Sequence, residues 1–202
     1  MTFDPDKHGR RSVRLPGYDY SQPGAYFVTV CARDRECLFG DVLDGEMTFN
    51  DAGRIINECW HDLPDHYPYV ALDAFVLMPN HIHAVILIMD TVGAGLKPAR
   101  TRREERHALP EIVRGFKTFS ARRINLAIGR TGQPVWQRNY YEHVIRNERD
   151  LDSKRQYIVG NPAKWQEDPD NPRKRSGFNT ARAGLKPAPT GIGPTCDADT
   201  TP

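Results

Sequence analysis

Two histidines one residue apart, His81-Ile82-His83, open an apolar run that continues through Ala84 to Met89. On a strand alternate side chains share a face, so both imidazoles project together and can hold one divalent ion. Ile82, Ala84, Ile86 and Ile88 would bury the other face and keep the strand rigid enough to support a site. Tyr157 is the second candidate. It falls in a helix expected over Glu148 to Gly160, where Leu151, Ile158 and Val159 define the apolar arc. At 100° per residue the tyrosine stands about 140° from that arc, on the side of Asp150, Ser153 and Asn161. Asn161 lies four residues on and could set its amide beside the phenol, completing a metal site begun by the histidines. Plainer alternatives stay open on spacing alone. A His-x-His arises by chance at strand starts with both rings bonded to backbone, and Asn161 before Pro162 also suits a residue that merely ends a helix.

Taken together these residue types suit phosphoryl transfer. A phenol with a pKa of about 10 is a poor nucleophile at neutral pH. A bound Mg²⁺ or Mn²⁺ would polarise a phosphodiester oxygen and orient the scissile bond. Attack by Tyr157 would yield a 5′-phosphotyrosine and a free 3′-hydroxyl, and a later 3′-hydroxyl could reseal the strand without ATP.

The elements that must position these groups are legible in the pattern. Residues 1–24 are rich in Arg, Pro, Tyr and Gly without periodicity and read as a basic arm. Tyr26 to Cys31 reads as a strand, and Leu38 to Phe49 as a hairpin turning at Asp44-Gly45. Asn50 or Asp51 can cap a helix carrying Ile55, Ile56, Cys59, Trp60 and Leu63, ended by Pro64. Val70 to Met78 and His81 to Met89 follow as strands, the second apolar on both faces and so central. Pro110 and Gly129 bracket a helix whose Ile112, Phe116, Phe119 and Ala127 share an arc. Trp136 to Ile145 reads as a last strand. Strands and helices mix without a βαβ rhythm, which predicts an α+β sandwich with a largely antiparallel sheet. The catalytic domain is expected over 25–165, interrupted by a basic loop at about 91–107, with a disordered tail over 166–202 that has too few apolar residues to order.

Composition bounds the function loosely. At 202 residues the chain suits one domain, and a net charge of +2 does not by itself mark a nucleic-acid binder. The distribution says more: Arg10, Arg11 and Arg14 crowd the arm, Arg100, Arg102, Arg103 and Arg106 form a central run, and Arg173, Lys174 and Arg175 mark the tail. Such runs are often merely solvated. Arg10, Arg11 and Arg14, with Arg114, Lys117 and Arg122 outside the apolar arc of their helix, are the candidate contacts to DNA. Trp136, Tyr140 and Tyr141 could stack unpaired bases, although strand aromatics more often pack a core. Cys31, Cys37, Cys59 and Cys196 form no CxxC pair, which argues against structural zinc and fits reduced thiols in the cytoplasm. No apolar stretch is long enough to span a bilayer.

Met78-Pro79-Asn80-His81-Ile82-His83, then Trp136-Gln137, Tyr141-Glu142-His143 and Arg146, then Tyr157-Ile158 with Asn161-Pro162, resemble in order the single-tyrosine transposases associated with repetitive extragenic palindromes (REPs). The likeness runs from about Arg11 to Trp165, and Arg14-Leu15 with Tyr18-Asp19-Tyr20 is similar too. It implies a ferredoxin-like core with the histidine pair on a central strand and the nucleophile on a C-terminal helix. Carried over, His81 and His83 are metal ligands, Asn161 is the third ligand and Tyr157 is the nucleophile. The implied substrate is single-stranded or hairpin DNA, cut and rejoined by a monomer or homodimer. The competing function is a module that binds DNA hairpins without cutting them. The 91–107 loop departs from the family pattern, and Ala-Gly-Leu-Lys-Pro-Ala occurs in it at 94–99 and again at 183–188.

Overall fold

The computed structural model describes residues 14–90 and 106–172. Arg10, Arg11, Arg100, Arg102, Arg103, Arg173, Lys174, Arg175 and both copies of the repeat lie outside them. The elements in order are β1 (Gly24–Cys31), β2 (Gly40–Leu43), β3 (Glu46–Phe49), α1 (Asp51–His61), α2 (Leu63–His66), β4 (Val70–Met78), β5 (His81–Ile88), α3 (Leu109–Ala127), β6 (Tyr141–Ile145) and α4 (Glu148–Val159). A 3₁₀ turn over Pro162–Glu167 follows.

Four strands form one sheet in the order β4-β5-β1-β6, every neighbouring pair antiparallel. With a helix between β1 and β4 and another between β5 and β6, this is the ferredoxin-like order. Alternation along each strand divides the core. Tyr26, Val28 and Val30 with Ile82, Ala84, Ile86 and Ile88 pack beneath α1 and α3. Phe27 and Val85 face the other way, beneath Ile158 of α4. The histidines of β5 alternate with the first set and therefore point toward α4. The β2–β3 hairpin turns at Asp44 and Gly45 with φ of 51° and 80°, the positive pair a type I′ turn requires.

Several boundaries differ from the sequence expectation. Pro64 does not end a helix but sits in the first turn of α2, where its missing N–H is harmless. The last strand begins at Tyr141. Trp136 makes only an isolated bridge to Ala32 and is buried, its Nε1–H donating to Ser120 Oγ at 2.9 Å and its ring packed on Phe39 and Phe116. It is a core residue and offers no face for a base. On α3, Phe119 is 54% exposed, while Val113 and Ile124 take the buried arc with Ile112 and Phe116. Order also extends past 165: Asn171 is buried, its Nδ2–H donating to the Trp165 carbonyl at 2.9 Å, and Arg35 pairs with Asp170. The apolar count missed that segment because polar bonds hold it. Among the described residues no helix is long and apolar enough to cross a membrane.

Candidate active site

Asn80, wholly buried at the turn before β5, sets the first histidine. Its Nδ2 donates to the carbonyls of Arg35 (2.9 Å) and Asp170 (2.8 Å), so the amide orientation is fixed with Oδ1 turned to His81 Nδ1 at 2.8 Å. An oxygen there can only accept, so His81 must carry its proton on Nδ1 and present a bare Nε2. That nitrogen is buried without a hydrogen-bond partner. Thr29 Oγ1 lies 2.7 Å from His83 Nδ1 and orients the second ring likewise. The two ring centroids are 4.5 Å apart. Burial pushes the His81 pKa down to about 4, with the Arg35 charge adding to it. Burial and then His81 push His83 down to about 3, against a small opposing pull from Asp168. Both rings are therefore neutral at pH 7, the form in which an imidazole can bind a cation, and His81 Nε2 has a lone pair free to do so.

Tyr157 approaches from α4. Its hydroxyl is 3.2 Å from His83 Nε2 and its ring meets Phe27 edge-on at 6.0 Å. The side chain is 49% exposed, so the phenol is held against the histidine yet open to a ligand. Burial raises its pKa, Asp168 adds to the rise, and a hydrogen bond from the Asn161 side chain lowers it in part. The proton thus stays on the phenol at neutral pH. The helical arc is not the expected one: Val159 is 78% exposed, and Ile158 with half-buried Leu151 faces the sheet. With Val159 outside the arc, Tyr157 stands about 110° from the contact line and flanks the sheet rather than opposing it.

Asn161 lies beyond the end of α4, buried, with φ −66° and ψ −45°, and its Oδ1 has no hydrogen-bond partner. His81 Nε2 and Asn161 Oδ1 are both buried acceptors without donors, and the Asn161 side chain reaches the Tyr157 hydroxyl that lies against His83. Leaving such atoms unpaired is costly, and a cation held between them would relieve both. Among the described residues no group of three or more His, Cys, Asp or Glu could hold a metal, so a metal here would need a donor of another kind beside the two imidazoles, such as the Asn161 amide. Two imidazoles and an amide carbonyl oxygen make a mixed nitrogen and oxygen donor set that could hold one divalent cation.

The candidate DNA contacts divide. Arg14, Arg114 and Lys117 line a groove of about 710 Å³ with Arg138 and Tyr140. It lies on the α3 side of the sheet, across from Tyr157. Lys117 Nζ is already committed to the carbonyls of Gln137, Arg138 (3.0 Å) and Asn139 (3.5 Å). Arg122 is exposed and does not line the groove. Arg14 lies over the Tyr140 ring at 5.7 Å and 3.8 Å from the buried Glu142 carboxylate. Glu142 thus ties the arm to β6, while His143 faces α4 and lies 2.8 Å from Asp150 Oδ2. Sequence reasoning did not single out Asn80, Thr29 or Phe27 as supports. Asn80 could have been found as the residue adjoining the histidine motif, whereas Thr29 and Phe27 needed the β1–β5 register, which sets Thr29 opposite His83.

No family model matches the chain. A Haemophilus influenzae protein described as uncharacterized is 40% identical over 170 residues, covering 80% of this chain and 92% of its own. A second protein of that organism, described as "Putative REP-associated tyrosine transposase", is 24% identical over 147 residues, covering 72% of this chain and 74% of its own. A solved structure of a REP-associated tyrosine transposase bound to a REP hairpin aligns with 91% of this chain and 99% of its own, at 19% identity and a TM-score of 0.46. In sequence the chain is thus similar to a protein described as a putative REP-associated tyrosine transposase, and its His81-Ile82-His83, Tyr157 and Asn161 follow one another in the order noted above.

Proposed function

We propose that the protein is a metal-dependent single-stranded DNA transposase that cleaves and rejoins DNA at hairpin repeats through a covalent 5′-phosphotyrosine on Tyr157. The observation that carries this reading is the Tyr157 hydroxyl at 3.2 Å from His83 Nε2, beside the partnerless His81 Nε2 and Asn161 Oδ1. His81, His83 and Asn161 would hold the metal, Mg²⁺ or Mn²⁺. When bound it would supply charge stabilisation for the phosphodiester oxygens. The chain's own residues do the rest. Asn80 keeps the His81 imidazole in the tautomer whose bare Nε2 faces the site, and Thr29 holds the orientation of the His83 ring. Phe27 and Ile158 fix the approach of the phenol.

In the reaction the Tyr157 oxygen forms a bond to phosphorus as the bond from phosphorus to the 3′-oxygen breaks. The departing electron pair stays on that oxygen, which gains a proton as the phenol loses one, so the step is neutral in protons. Burial holds the Tyr157 pKa above that of a free phenol, so the phenol has to give up its proton on the way to the covalent bond. Incubating the protein with Mg²⁺ and a labelled hairpin taken from beside its own gene tests the reading. A denaturant-resistant protein–DNA adduct is expected. Hairpin binding with no adduct in Mg²⁺ or Mn²⁺ would instead make the protein a non-cleaving binder.

A further inference from the structure

We propose that Asp73 and Arg155 form a clamp that positions the nucleophile, holding α4 in the one placement on the sheet that keeps Tyr157 against His83. The role assigned to Tyr157 above underlies the functional part of this inference.

Apolar packing constrains α4 weakly. Of its 12 residues only Ile158 is buried, with Leu151 half-buried beside it. A helix with so narrow an apolar stripe can tilt or rotate at little cost. Polar contacts hold it instead. Asn147 Oδ1 accepts from the Asp150 N–H at its start, His143 lies against Asp150, and the Lys154 ammonium is 5.3 Å from the Phe27 ring centre. Most of these act at one end or are single-point contacts. Arg155 is different: its Nε and Nη2 donate to the two oxygens of Asp73 at 2.9 and 2.7 Å. A two-point fork fixes direction as well as distance, which a single charge cannot do.

Both halves of the clamp are set before they meet. The register of β4 against β5 breaks between Leu72 and Phe75, where three steps on β4 answer two on β5. Leu72 and Phe75 both face α1 and α3, which leaves Asp73 and Ala74 on the α4 side. A bulge re-aims a side chain, and this one delivers a carboxylate to the helix from an edge strand. The Ala74 N–H donates to Asp73 Oδ1 at 2.7 Å and holds it there. Asp152 accepts from Arg155 Nη1 at 3.1 Å and steers the guanidinium from its own helix. Arg155 precedes Tyr157 by two residues, about 3 Å along the axis, so motion released at the clamp reaches the phenol undiminished. Neither residue lies among the metal-facing groups. They act through the helix.

The test uses the full chain as wild type and as Asp73→Asn, Arg155→Met and Asp73→Glu, with three readouts: adduct formation in a single turnover at saturating labelled hairpin, hairpin Kd, and amide hydrogen exchange. Asp73→Asn and Arg155→Met should slow adduct formation by about tenfold or more, the loss a displacement of about 1 Å can produce. Their Kd should stay within about twofold, because the loss falls on the reacting geometry and not on binding. Exchange should rise over 148–159 while β1 and β5 keep wild-type protection, and Asp73→Glu should recover part of the rate. Wild-type rates and wild-type α4 exchange in both charge-removing variants would overturn the clamp. So would a joint fall of rate, affinity and sheet protection, which would mark general destabilisation. If the wild type itself forms no adduct, the reading of Tyr157 fails, and exchange over 148–159 still decides whether the clamp holds the helix.

Discussion

Tyr157 and the two histidines differ in what their loss should do. Tyr157→Phe removes only the oxygen proposed to attack, so adduct and cleavage should vanish while hairpin affinity persists. Adduct surviving in that variant would move the nucleophile, and half-exposed Tyr141, whose ring lies 6.3 Å from Phe27, is the next candidate. His81→Ala and His83→Ala should each abolish cleavage, with added Mn²⁺ partly restoring one and not both together. Normal cutting by either variant in the presence of chelator would refute the metal role.

At the scale of the element, the face that α4 buries has a direct thermodynamic test. Ile158→Ala should cost about 2–4 kcal/mol in urea unfolding, as for other buried isoleucines, whereas exposed Val159→Ala should stay within about 0.5 kcal/mol. Equal costs would mean that the helix rolls about its axis. The clamp also carries a pH signature. The hydrogen bond from Arg155 holds the Asp73 carboxyl below the usual carboxylate range, against burial. A carboxylate with a depressed folded pKa stabilises fully above its unfolded pKa of about 3.9 and loses that contribution as pH falls through the folded value. The stability gap between wild type and Asp73→Asn should therefore be flat near neutrality and close below about pH 4. A gap that persists at lower pH would show that the charge is not what Asn removes. The boundaries of α4 were legible in its sequence to within a residue. Its buried face was not, because Val159 has the right residue type and only the sheet decides which flank of a weakly amphipathic helix is covered.

For the whole molecule, the groove and the Tyr157 site lie on opposite sides of one sheet, so DNA reaching both must pass an edge of it. Binding should weaken with salt at a slope of about −0.7 per phosphate contacted on a single strand. Arg14→Ala and Arg114→Ala should flatten that slope, whereas Lys117→Met should change it less and loosen residues 137–139, whose carbonyls the ammonium binds. An unchanged slope in the arginine variants would remove the groove from the DNA path. The repeated Ala-Gly-Leu-Lys-Pro-Ala string, outside the described residues, admits the coding GCG GGT TTG AAA CCC GC, which equals its own reverse complement except at the central base. If both copies are translated palindromes lodged where insertion does least harm, the gene carries near-identical hairpins at both places. Unrelated codons in the two copies would dismiss the idea.

The sequence by itself determined the strand and helix order, the hairpin at Asp44-Gly45 and the pairing of two imidazoles on one strand face. These depend on local periodicity, turn chemistry and the two-residue repeat of a strand, all of which act within a few residues. Only the tertiary structure decided what surrounds those histidines. Asn80 is oriented by carbonyls 45 and 90 residues away, Thr29 meets His83 across 54 residues, and Asp73 meets Arg155 across 82. Trp136 went into the core and Lys117 onto backbone carbonyls for the same reason. A residue's type states which bonds it can make, while burial and the partners brought up by distant chain decide which of them it does make.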